Sequence, residues 1–245
     1  MKTTNAGSIM LVLIIFGCCF IGVIATSFDF YYFVQQWPGS YCDTRRGCCY
    51  PRTGRPASEF SIHGLWPNYK TGKWPQFCGS SEEFDYSKIS DLEEELNRYW
   101  GSLSCPSSDG QEFWGHEWEK HGTCSLNLDE HSYFEKALSL RQNIDILGAL
   151  KTAGIKPDGS QYSLSDIKEA IKQNTGQLPG IDCNTSAEGE HQLYQVYVCV
   201  DKSDASTVIE CPIYPHSNCP SMVVFPPFGE DQEDRDGYTE GMYEL

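Results

Sequence analysis

At 245 residues, with twelve cysteines and a formal net charge of −16, the chain has the length for one domain with a sizeable core. It is too acidic to hold long nucleic acid along a basic track, although a small, locally positive site is compatible with that charge. No CxxC pair occurs, which argues against thiolate-bound metal and leaves the cysteines to disulfides.

Lys2 is followed by an apolar run from Ile9 to Ile24 that ends in Val23-Ile24-Ala25. A charged start, an apolar stretch and small residues at the exit predict a secretory signal peptide over 1–25, with the mature chain starting near Thr26. The alternative is a retained anchor, for which the run falls short of the usual ~20 apolar residues. Cys18 and Cys19 leave with the signal. Cys42, Cys48, Cys49, Cys78, Cys105, Cys124, Cys183, Cys199, Cys211 and Cys219 remain, enough for up to five bridges in an oxidising compartment. Asn184-Thr185-Ser186 is a sequon, making Asn184 a glycosylation candidate in an exported chain.

Along the mature chain, FDFYYFVQQW (28–37) is aromatic and apolar and predicts a buried strand. Residues 38–59 hold Gly, Pro, Arg and three cysteines and predict a disulfide-pinned loop. FSIHGLWP (60–67) predicts a short strand running into a turn. From Ser87 the pattern becomes helical, with Ile89, Leu92, Leu96, Tyr99 and Trp100 on one face. Further helices are predicted over 113–121, 132–150 and 163–173. QLYQVYVCV (192–200) and STVIEC (206–211) read as paired strands, and SMVVF (221–225) as another. Helices and strands mix without a βαβ rhythm, so the expected class is α+β: a mainly antiparallel sheet packed with several helices in one disulfide-stapled domain. Residues 229–245 carry seven acids against one arginine and predict a flexible tail, with a sorting or pro-segment as the functional alternative.

The segment FWGHEWEKHGTC (113–124) superficially resembles a zinc-protease HExxH. On a helix turning about 100° per residue, with His116 set at zero, Lys120 falls at about 40°, Phe113 at about 60°, Glu117 at about 100° and His121 at about 140°. All five share one face, while Trp118 and Glu119 point away. A zincin places its histidines at i and i+4; here they stand at i and i+5, with an ammonium beside them. Geometry and charge both disfavour metal. A cation beside two imidazoles and a carboxylate suits a phosphate. Metal-free cleavage of RNA needs a base for the 2′-hydroxyl and an acid for the leaving 5′-oxygen, so a second histidine should come from elsewhere. His131, His191 and His216 sit among acids or in loops and read as ordinary surface residues. His63 lies in HGLWP, where Gly64 permits close approach and Trp66 offers a ring to stack on a base. A satisfied core histidine is the competing reading of His63.

SIHGLWP (61–67) and FWGHEWEKHGTC together closely resemble the two signature segments of the ribonuclease T2 family of secreted acid ribonucleases, and FVQQWP (33–38) and the cysteine layout resemble its plant members. The resemblance runs over most of 28–225 and makes 26–228 the expected ribonuclease domain. It implies His63 as general acid, His121 as general base, His116 as phosphate-binding residue, and Glu117 with Lys120 as the pair stabilising the phosphorane. The implied substrate is single-stranded RNA, cleaved without a cofactor or metal to 2′,3′-cyclic phosphates that can go on to 3′-phosphates. The implied bridges are Cys42–Cys48, Cys49–Cys105, Cys78–Cys124, Cys183–Cys219 and Cys199–Cys211. Gln36 and Phe113 match positions lining a base site. Ser102 and Gly101 stand where some relatives have asparagine and proline, so strong base preference is not expected. An acidic pH optimum, a monomer free of the membrane once the signal is removed, and an apoplastic or vacuolar destination complete the expectation. The alternatives within the same fold are a recognition protein, against which the acidic charge speaks, and a silent storage or defence relative, which a missing catalytic histidine would mark.

Overall fold

The computed structural model describes residues 27–79, 83–125 and 128–229. The expected signal peptide, and residues 230–245 of the expected tail, lie outside them.

The chain enters on β1 (Phe30–Gln36), every residue of which is buried. Five aromatic or apolar residues followed by two buried glutamines suit a strand covered on both faces. β1 pairs antiparallel with β2 (Ser61–Asn68) on one side and with β5 (His191–Asp201) on the other. β4 (Gly180–Thr185) pairs antiparallel with β5, and β6 (Met222–Val224) meets β5 in parallel at Gln192 and pairs antiparallel with β3 (Gln161–Ser163). Alternation along β1 sends Tyr31 and Phe33 into the main core and Phe30, Tyr32 and Val34 into a smaller cluster with Tyr197 and Cys199 on the opposite face.

The helices pack on the main-core side. They are α1 (Pro38–Cys42), α2 (Glu93–Tyr99), α3 (Gln111–Lys120), α4 (Glu130–Asn143), α5 (Ile146–Thr152) and α6 (Leu164–Thr175). Their starts follow local chemistry. Asp129 caps α4 by accepting from Ser132 N, Asp145 caps α5 from Gly148 N, and Ser163 caps α6 from Asp166 N. Gly176, left-handed at φ 79°, ends α6. Trp100 and Trp114 are fully buried between helices and sheet, and Trp118 stacks edge-on against Tyr133.

The single helix expected over 132–150 is two. Ile144 leaves helical geometry at ψ 88°, and the Asp145 carboxylate restarts the chain as α5. The loop expected over 38–59 opens with α1, for which Pro38 supplies the first position. Residues 206–211 do not form a full strand. They touch β5 through a bridge at Val200–Val208 and bonds at Asp201–Thr207 and Ile209–Cys199, since Asp204 gathers Ser206 N and Thr207 N into a turn. β4 escaped the sequence pattern because its Asp182 and Asn184 dilute the apolar signal of Ile181 and Cys183.

Disulfides join Cys42–Cys48, Cys49–Cys105, Cys78–Cys124, Cys183–Cys219 and Cys199–Cys211. Asn184 Nδ2 donates to Ser40 O at 2.6 Å.

Candidate active site

A cleft of about 1060 Å³ opens on the sheet face opposite the main core. His63 and Trp66 of β2 and Phe113, His116, Glu117, Lys120 and His121 of α3 and its C-terminus all line it. Trp118 and Glu119 do not, as the helical wheel required.

His63 reaches this face through an irregularity. In the β1–β2 ladder Val34 opposes Gly64 and Gln35 opposes Ile62, which leaves His63 as the extra residue of a β-bulge. The bulge shifts the alternation, so that Ile62 and Leu65 both enter the core while His63 and Trp66 both face the cleft. The carbonyl of His63 is satisfied by Trp100 Nε1 at 3.0 Å.

Trp66 joins the two halves of the site. Its Nε1 donates to Glu117 Oε2 at 2.7 Å, and its ring stacks on that of His121 at 5.1 Å and 26°. His63 meets the Trp66 ring edge-on at 4.9 Å, and Phe113 lies tilted 6.0 Å from His63. The glycine of HGLW is required for this contact, because a Cβ on Gly64 would overlap both Trp66 Nε1 and Glu117 Oε2.

Enclosure and neighbouring charge set the protonation states. Burial, with help from the Lys120 ammonium and His116, pulls His63 down to about 4. Burial and the same ammonium pull His121 down to about 3. His116, more exposed, is lowered by the same two causes. Burial drives Glu117 up to about 8, against the opposing pull of its Trp66 hydrogen bond and Lys120. Glu117 is therefore an uncharged acid under acidic conditions and does not serve to keep the imidazoles charged.

Two expected base-site residues fare differently. Phe113 stands in the cleft wall. Gln36 does not: it ends β1 opposite Gln195, is 3 % exposed, and accepts from Tyr194 OH at 3.4 Å. Trp66 keeps an edge in the cleft but commits one face to His121, so its first service is to hold that ring. Ser102 is buried and also touches the cleft.

Sequence reasoning missed Gln195 and Tyr197 of β5. Gln195 Nε2 lies 2.6 Å from His63 Nδ1, and Tyr197 OH donates to Gln195 Oε1 at 2.7 Å. Their spacing of two along a strand was legible as one face, but nothing in the sequence said that this face meets His63. Exposed Trp74 and Tyr214 add aromatic surface to the same cleft. Among the described residues no group of three or more His, Cys, Asp or Glu is arranged to hold a metal ion.

An oxidised α+β domain that sets imidazoles from a strand and a helix beside one ammonium, in a cleft walled with aromatic rings, is equipped for acid–base chemistry on a phosphodiester flanked by bases. Residues 28–211 match the model of the ribonuclease T2 family, and the chain belongs to that family. It is 53 % identical to the intracellular ribonuclease LX of Solanum lycopersicum over 91 % of this chain and 95 % of that one. With the extracellular ribonuclease LE of the same plant it is 50 % identical, over 93 % of this chain and all of the other. The crystal structure of RNase NT in complex with 5′-AMP superimposes with a TM-score of 0.80 at 56 % identity, covering 82 % of this chain and 100 % of that one.

Proposed function

We propose a division of labour for the endoribonuclease activity that membership of this family gives the chain. His121 takes the proton of the 2′-hydroxyl, and His63 protonates the leaving 5′-oxygen. The attacking oxygen closes a 2′,3′-cyclic phosphate, which water can open to a 3′-phosphate with the two roles exchanged. His116 and Lys120 hold the phosphate oxygens, and Lys120 meets the charge that grows on them in the phosphorane. Glu117, uncharged and fixed by Trp66 through one oxygen, offers the other as a hydrogen-bond donor. Phe113 and Trp74 are the faces on which the flanking bases of single-stranded RNA stack.

The observation that carries this reading is the shared cleft: one imidazole from the β2 bulge and one from the end of α3, both tied to Trp66. Both imidazoles are pulled well below the ordinary histidine value by burial and the Lys120 ammonium, His121 to about 3 and His63 to about 4. Activity therefore falls below the first pKa as the base charges and above the second as the acid discharges, which gives an acidic optimum. A rate maximum above pH 8 contradicts the scheme.

The proposal takes the active form to be a monomer. Five bridges fit an oxidising route through the secretory pathway, and the relatives include both extracellular and intracellular ribonucleases. Asn184 is the expected glycosylation site; attachment there leaves one N–H for the bond to Ser40 O.

The test is cleavage of an RNA dinucleotide at pH 5 with EDTA present, following the cyclic phosphate. His63→Ala and His121→Ala should each lose at least ~10²-fold in kcat. Wild type that makes no product with its bridges intact, or variants that keep full activity, would overturn the assignment.

A further inference from the structure

The His63 ring is held by an amide whose own orientation is fixed from behind. Gln195 is 5 % exposed and Tyr197 9 %, on the same face of β5. In the β4–β5 ladder Asp182 opposes Gln195 and Cys183 opposes Leu193, so Tyr194 is the extra residue of a second bulge immediately before Gln195. Such a bulge locally shifts the alternation of side chains along the strand. Tyr197 OH donates to Gln195 Oε1 at 2.7 Å, which commits the amide oxygen. Burial pushes the Tyr197 phenol well above its ordinary value, so it keeps that proton. What remains for His63 Nδ1, 2.6 Å away, is the amide N–H. An amide nitrogen only donates, so Nδ1 must accept.

We propose that Gln195 is a positioning residue for His63, oriented by Tyr197 so that its N–H fixes the imidazole with Nδ1 as acceptor and the Nε2–H turned to the cleft. The inference rests on the assignment of His63 as a proton-transferring group, and it adds how that ring is set. A second proton on Nδ1 would face the amide N–H, so charging His63 requires the amide to turn over and give Tyr197 its nitrogen in place of its oxygen. The Tyr197–Gln195 pair thereby joins burial, Lys120 and His116 in setting where His63 charges. His121 also faces it across the cleft, and Glu117 and Glu112 line the same cleft, while Trp66 and Phe113 contribute ring edges and faces.

The proposal is tested by the pH profile of kcat/KM and by nitrogen-15 spectra of histidine-labelled protein, with the His63 signal assigned by its loss in His63→Ala. In wild type above the pH at which His63 charges, the spectrum should show the Nε2–H form. Gln195→Glu puts an acceptor at Nδ1 and should move the alkaline limb up by one pH unit or more. Tyr197→Phe, which removes only a hydroxyl, frees the amide to turn and should move the limb the same way by less, with KM nearly unchanged. An Nδ1–H form in wild type, or a limb that stays put in both variants, overturns the proposal. The spectrum needs no activity, so a His63→Ala enzyme that remained active would sink the acid assignment while leaving the Gln195 contact to be judged by itself.

Discussion

Glu117→Gln separates the shape of the site from its charge. Glutamine keeps an oxygen for Trp66 Nε1 and nearly the same volume, but it cannot ionise. The carboxyl has a pKa of 4.5 in the open chain and about 8 in the fold. Between those values the folded protein binds more protons than the unfolded one, so this group's contribution to stability falls as pH rises. At pH 4 it is protonated in both states and costs nothing. At pH 7 the unfolded chain is ionised and the folded one is not, a penalty of about 3 kcal/mol. The two depressed histidines act in the opposite sense at lower pH, where they lose stability as pH falls from the ordinary imidazole value toward 3 or 4, and they are common to both proteins. Urea unfolding of wild type and Glu117→Gln with all bridges intact, at pH 4 and pH 7, should show the difference shifting by about 3 kcal/mol in favour of the variant at the higher pH. A difference independent of pH, or one that grows in favour of wild type, would refute the buried, uncharged carboxyl and the donor role built on it.

Gly64→Ala forces a methyl into the Trp66–Glu117 contact; urea unfolding should show a loss of about 1–3 kcal/mol, with kcat reduced in the protein that still folds. Phe113→Ala removes a stacking face, so KM for a dinucleotide should rise about tenfold, as expected for a contact of 1–3 kcal/mol, while the pH limbs stay in place. An unchanged KM would remove Phe113 from the base site.

The sequence made most of the site legible because its key residues fall in two short segments, and a helical wheel is reliable over ten residues with no proline inside. α3 needed only its period. β2 was harder, because strict alternation cannot put both His63 and Trp66 on one face. The bulge that does so is a property of the ladder with β1 and leaves no mark in β2 alone. Gln195 was hidden for the same reason: its partner is set by a second bulge and by which strands become neighbours. The placement of Gln36 outside the cleft lining was not legible either, because its position in the chain does not say that its amide oxygen meets Tyr194 OH. Asp145 was misread because Ile144 and Leu147 continue an apolar helical stripe across a point where an aspartate cap starts a new helix.

Two of the disulfides overlap along the chain. Cys49–Cys105 closes a loop that contains His63, and Cys78–Cys124 closes one that contains His116, Glu117, Lys120 and His121. Because the loops share residues 78–105, the covalent rings are fused. Heat or denaturant can erase the sheet and α3, yet the strand and the helix that make the site stay tethered within a few tens of residues of one another. By chain entropy alone, a loop of that size holds back about 4 kcal/mol of denatured-state freedom. The thermally unfolded enzyme thus keeps its two catalytic halves at high local concentration, and cooling should return activity as long as the thiols have never been released.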